Sequence, residues 1–218
     1  SRDGDTLPYT FDGKTIYATH GHNYNEDKLP PLSKGDILLC GHTHIPAKRV
    51  YENYINLFPN NTNAESINQL LAASYYTTKN YKAALESVNK VNNPTKELLK
   101  AKQIILYNLA TQEFEKKEYS KAKDYFNKSI NVGDYSKDIK AKAYLWRGEI
   151  NYMFKKYSQA ESDFKKHISL LKQPNINAYY SLGYAFFMQK MYGEAEKQFS
   201  KYIAKNSSDK AVKADAYN

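Results

Sequence analysis

AYLWRGEINYMFKKYSQAESDFKK, residues 143–166, is nearly said again as AYYSLGYAFFMQKMYGEAEKQFSK, residues 178–201. Each copy has an aromatic start, a glycine (Gly148, Gly183) and then the spacing Y-x-x-A-x-x-x-F. That tail is Tyr157, Ala160, Phe164 in one copy and Tyr192, Ala195, Phe199 in the other. Upstream it recurs as Tyr119, Ala122, Phe126, and as Tyr81, Ala84, Val88. From alanine to alanine the steps are 38, 38 and 35 residues, a period that marks a solenoid of stacked units.

The pattern has a physical reading. Each unit holds two amphipathic helices joined by a short polar turn such as Lys155-Lys156 or Gln189-Lys190. Alanine in the second helix and glycine in the first let the two approach closely, and phenylalanine fills the space one turn on. One hairpin cannot cover its own apolar stripe, so neighbours stack and bury each other's.

These residues resemble the tetratricopeptide repeat. Leu182-Gly183, Phe186, Ala195 and Phe199 fall at that family's leucine-glycine, tyrosine, alanine and phenylalanine positions. Arg147 stands for the leucine in the third unit, and Ala72 and Ala110 stand for the glycine in the first two. The resemblance covers roughly residues 58–218, with repeats at about 64–91, 96–131, 136–171 and 176–205 and the start of a fifth at 209–218. Linkers such as Asn92-Asn93-Pro94-Thr95 and Gln173-Pro174-Asn175 carry helix stops and starts. The resemblance implies a mainly α fold, a right-handed superhelix of helix-turn-helix units, whose first helices line a concave face that binds peptides or helices. By family position the inward residues are Tyr76, Tyr107, Phe114, Glu149, Tyr152, Tyr180, Tyr184 and Phe187, an aromatic groove without the family's carboxylate-clamp set. Against this stands the bland reading that any one of these rings packs between units.

Residues 1–57 lie outside the repeat. Thr15–Thr19 and Asp36–Cys40 are apolar runs of strand length, and Arg49–Leu57 has the β-propensity for a third strand. The first two lead into Thr19-His20-Gly21-His22 and Gly41-His42-Thr43-His44. Imidazoles following adjacent strands can converge on one point, a metal-like arrangement.

THGHNYNEDKLPPLSKGDILLCGHTHIPAKRVYENYIN, residues 19–56, resembles the C-terminal part of calcineurin-like metallophosphoesterases, in their small bacterial phosphodiesterase branch. The resemblance implies that His20, His42 and His44 are metal ligands, for a divalent Mn, Ni or Zn ion. The family's upstream D-x-H, G-D-x-x-D and G-N-[HC]-[DE] motifs, which complete a two-metal centre, do not occur here. The segment therefore reads as a truncated, inactive remnant, joined near residue 57 to the repeats.

Composition bounds the rest. Residues 1–57 hold six basic and seven acidic side chains, leaving 26 against 16 in residues 58–218, where the net charge of +9 therefore originates. The lysines interleave with acids at helical spacing and form no arginine-rich run, so a solvated outer face is expected and nucleic acid is not. A single cysteine, Cys40, excludes an internal disulfide framework, and no run approaches a membrane span. Starting at Ser1 and ending inside a fifth repeat, the chain reads as a fragment, of cytoplasmic or bacterial periplasmic or envelope origin. The expectation is a scaffold that binds a protein or peptide and performs no chemistry. The alternative is a metal-dependent phosphodiesterase, and a third reading is a repeat protein that assembles envelope complexes.

Overall fold

The structure, a computed structural model, describes residues 6–11, 14–19, 36–40, 44–57 and 64–205. The partial repeat at 209–218 lies outside them, as do His20 and His42. The chain divides into two compact units, residues 1–94 and 95–218.

The first unit opens with strands β1 (Thr6–Phe11), β2 (Lys14–Thr19) and β3 (Ile37–Cys40) in the order β1-β2-β3. β1 and β2 are antiparallel with Phe11 opposite Lys14, and the sequence between them is Asp12-Gly13, a dipeptide that hairpins favour. β2 and β3 are parallel, and the Thr15 amide donates to Asp36 Oδ1 at 2.7 Å. Helices α1 (His44–Leu57), α2 (Ala64–Thr77) and α3 (Tyr81–Asn89) follow.

Arg49–Leu57, expected as a strand, is thus helical. Val50, Tyr51, Tyr54 and Ile55 are half-buried while Arg49, Asn53 and Asn56 are exposed, a period of 3.6 rather than 2. Pro46 is the third residue of α1, where its missing N–H would have had no acceptor within the helix. α1 meets α2 at Tyr75, whose hydroxyl donates to Glu52 and whose ring lies 4.7 Å from Lys48 Nζ. Burial and the bond to Glu52 push that phenol up to about 12.

The second unit is three hairpins. They are α4 (Lys96–Glu115) with α5 (Tyr119–Val132), α6 (Lys137–Met153) with α7 (Tyr157–Leu170), and α8 (Asn177–Met188) with α9 (Tyr192–Lys205). Thr95 and Ser136 cap α4 and α6 by accepting the amides of Leu98 (3.2 Å) and Ile139 (3.5 Å). The hairpin turns share one geometry with the turn of α2–α3. Lys79, Lys117, Lys155 and Lys190 each have φ between 58° and 62°, a left-handed residue closing the first helix. At Lys155 the amide donates to Tyr152, and the next amide, of Lys156, reaches back to Asn151 at 2.8 Å. These paired bonds satisfy two carbonyls that would otherwise end the helix unpaired.

Inside each hairpin the aromatic ring sits on the small residue. A Cβ added to Gly148 would lie 2.7 Å from the Phe164 ring, and one on Gly183 2.5 Å from Phe199. Ala110 holds the same repeat position, and both it and Phe126 are fully buried. Ala122, Phe126, Ile130, Ala143 and Ile150 form one core cluster, and Ala160, Phe164, Leu182, Ala185 and Phe186 another.

Polar side chains are also buried and carry specific bonds. Arg147, which departs from the repeat's leucine, donates to Asp163 from Nε (3.0 Å) and Nη2, and to Asn127 from Nη1 (2.7 Å). Asn151 completes the carboxylate's partners at 2.9 Å. Gln103 donates to the carbonyls of Ser129 and Gly133 and accepts the Ser136 amide at 2.8 Å. His167 Nδ1 donates to the Ala141 carbonyl at 2.8 Å, and Nε2 accepts the Asn175 amide at 3.3 Å. Ser129, one repeat earlier, makes the matching bond to the Gln103 carbonyl at 2.8 Å.

The glycine–phenylalanine contact sets how large a side chain position 148 accepts. Replacing Gly148 with alanine gains about 1 kcal/mol of helix propensity that offsets the shift of Phe164, as the α4–α5 hairpin already holds one methyl there. Gly148→Val adds two more carbons against the ring and is expected to cost about 1–3 kcal/mol. Urea denaturation of both variants checks the difference; equal stability would contradict it.

The buried His167 makes stability depend on pH. Burial holds its imidazole below the ordinary value of 6.5, so near that pH the unfolded chain takes a proton that the folded one refuses. The favourable contribution is therefore complete above that pH and declines as pH falls through it. His167→Gln keeps a donor and an acceptor but does not titrate. Its melting temperature should fall less than the wild type's between pH 7 and pH 5, roughly the window flanking the ordinary histidine value. Parallel slopes would contradict the assignment.

Candidate functional site

Within the second unit the first helices are neighbours, α4 touching α6 and α6 touching α8. The two junctions are built differently. Between α4 and α6, Phe114 lies 5.0 Å from the Trp146 ring and 5.3 Å from Tyr119. The Tyr107 ring rests 5.7 Å from Phe126, and burial raises its phenol while the neighbouring Trp146 indole opposes that rise. Tyr107 and Phe114, two of the expected groove residues, therefore spend their rings on packing against the core.

Between α6 and α8 the residue one step of 35 beyond Trp146 is Ser181. A hydroxymethyl stands where the indole stood, and a recess of about 290 Å³ remains, lined by Glu149, Tyr152, Tyr180, Ser181 and Tyr184. Ser181 Oγ donates to Glu149 Oε1 at 2.7 Å, tying α8 to α6. Tyr180 and Tyr184 are edge-on at 4.8 Å, and the Tyr184 ring rests 5.2 Å from Phe199. Tyr152 leans on Tyr157 at 5.4 Å. Four expected groove residues, Glu149, Tyr152, Tyr180 and Tyr184, are thus brought together. Ser181 was not expected; its signal is the size change from tryptophan to serine between aligned repeats.

Phe187 stands beside Tyr192 at 5.5 Å and is 49% exposed. Tyr76, in the first unit, is partly exposed with its ring 5.6 Å from Tyr81. Of the three histidines expected to bind metal, His20 and His42 fall outside the described residues, and His44 is placed only as the first residue of α1. Among the described residues no cluster of His, Cys, Asp and Glu has metal-binding geometry. Among them, too, no helix is long and apolar enough to cross a membrane.

The electrostatics of the recess are set by Glu149. Burial holds its carboxyl above the ordinary 4.5, and the Ser181 hydroxyl opposes that rise. The same burial raises the Tyr152 phenol, with Tyr157, Tyr184 and Glu149 adding to it. A carboxyl raised in the fold contributes stability at acid pH that is lost as pH rises through its folded value. Glu149→Gln, which keeps the acceptor for Ser181, should therefore melt higher than wild type at pH 7. The gap should close below that ordinary value of 4.5. A variant that melts lower at pH 7 would show that the charge is internally compensated.

No family model matches the chain. Phosphodiesterase YfcE of Escherichia coli strain K12 is 45% identical over 31 residues, 14% of this chain and 17% of that enzyme. The chain thus spans under a fifth of the length of the curated relatives it matches. Among solved structures, BtubC of P. vanneervenii aligns with TM-score 0.50 and 14% identity, over 74% of this chain and 71% of that one. MamA aligns with TM-score 0.48 and 25% identity, over 75% of this chain and 89% of that one. The first TPR of Spaghetti (RPAP3), solved bound to an HSP90 peptide, aligns with TM-score 0.47 and 20% identity, over 53% of this chain and 87% of that one. By repeat pattern and hairpin geometry the helical part of the chain resembles tetratricopeptide-repeat proteins, and a short stretch is similar to a bacterial phosphodiesterase.

Proposed function

We propose that this chain is a protein-interaction scaffold whose second unit binds an extended peptide or a helix of a partner across α6 and α8. In this reading residues 58–218 carry the repeats, and residues 1–57 are a truncated metallophosphoesterase-like segment. The three hairpins of the second unit are taken as turns of a right-handed superhelix with the first helices on its inner face.

The observation that carries the reading is the recess itself. Stacked hairpins bury their apolar faces against each other, and the α4–α6 junction is filled accordingly. At α6–α8 the filling residue is missing and three tyrosines surround the space. Tyrosine offers broad apolar contact with few rotatable bonds and a hydroxyl for direction, which suits peptide recognition. Phe187, exposed one turn beyond Tyr184, extends the apolar surface along α8. The similarity to the phosphodiesterase covers 17% of that enzyme and does not carry its activity to this chain.

A peptide library displayed on phage and selected on the immobilised full chain tests the proposal. Selected peptides should lose about tenfold or more in affinity for Tyr152→Ala combined with Phe187→Ala, as expected of central aromatic contacts. Phe187 touches only Tyr192 among the described ring pairs, so Phe187→Ala alone should melt close to wild type. Tyr152 also packs against the core of Ala160, Phe164 and Phe186, so the double variant is assayed well below its own melting transition. A library that yields no binder, or binders indifferent to the double variant, would refute the groove.

A further inference from the structure

The buried and half-buried acids of the second unit pair with basic side chains as a rule. Glu113 meets Lys116 and Glu161 meets Lys165, three and four residues along one helix. Asp163, buried, has Arg147. Glu149 breaks the rule: its helical neighbours at three and four residues are Leu145, Trp146, Tyr152 and Met153. Among the described residues no lysine or arginine pairs with it, and its hydrogen bond comes from the neutral Ser181 hydroxyl. On a chain of net charge +9, rich in lysine, that is a specific omission.

A half-buried carboxylate without a counter-ion is a costly arrangement, and its cost falls when a cation arrives. Around it stand three tyrosine rings, whose π faces attract cations, in a water-accessible recess of about 290 Å³. An apolar side chain entering this space would desolvate the carboxylate further and give nothing in return. An acidic one would be repelled. We infer that the recess between α6 and α8 receives a lysine or arginine side chain of the bound peptide, ringed by Tyr152, Tyr180 and Tyr184 and ion-paired with Glu149. This rests on the peptide-binding reading above and adds what the peptide must carry.

The test uses the same selected peptides on the full chain, so that the two claims separate. Binders should share a basic residue, and replacing it with norleucine should weaken binding about tenfold, the scale of a desolvated cation–π and ion-pair contact. Glu149→Gln should weaken the parent peptide similarly, and the norleucine peptide should no longer distinguish the variant from wild type. Ser181→Trp, which puts back the indole that the preceding junction already tolerates, should also abolish the preference for a basic residue. Binders that are lost on Tyr152→Ala with Phe187→Ala yet ignore both the norleucine exchange and Glu149→Gln would overturn the basic-residue inference alone. Failure to select any binder would overturn both claims.

Discussion

The contact on which the second unit depends is the phenylalanine ring seated on a glycine of the facing helix. At Gly148 and Gly183 no Cβ fits without moving Phe164 or Phe199. That close approach sets how near the two helices of a hairpin lie, and so which side chains of the first helix are left facing outward. The left-handed lysine at each turn closes the first helix with nearly the same φ every time. With pairing and turn both constrained, successive hairpins differ mainly in the residues presented between them.

One such difference separates a closed junction from an open one. Trp146 fills the space between α4 and α6, its ring tilted against Phe114 at 5.0 Å. Ser181 leaves the corresponding space between α6 and α8 vacant and spends its hydroxyl on Glu149. A repeat fold tolerates such a change because each interface is a separate contribution to stability. The buried polar bonds of Arg147, Gln103 and His167 then tie particular helices together where the apolar repeat alone would be interchangeable.

Much of this was readable from spacing. The alanine steps marked the hairpins, and glycine and phenylalanine could be named as partners because their chemistry leaves little else. A charged residue at an apolar repeat position is harder to read: Arg147 looked like a departure, and only the placement of Asp163 and Asn127 explains it. Arg49–Leu57 misled because Val50, Tyr51, Tyr54 and Ile55 favour strands as individual residues, while their spacing is helical. Ser181 is silent in one repeat and informative only beside Trp146. The recess was out of reach because it depends on two helices 32 residues apart in sequence at the Ser181–Glu149 bond.

The most direct measurement is amide hydrogen exchange of the full chain, mapped by mass spectrometry with and without a selected peptide. Binding at the recess predicts new protection concentrated in α6 and α8, around residues 145–153 and 177–188, with α7 and α9 little changed. Protection confined to the outer helices, or to the first unit, would contradict the account.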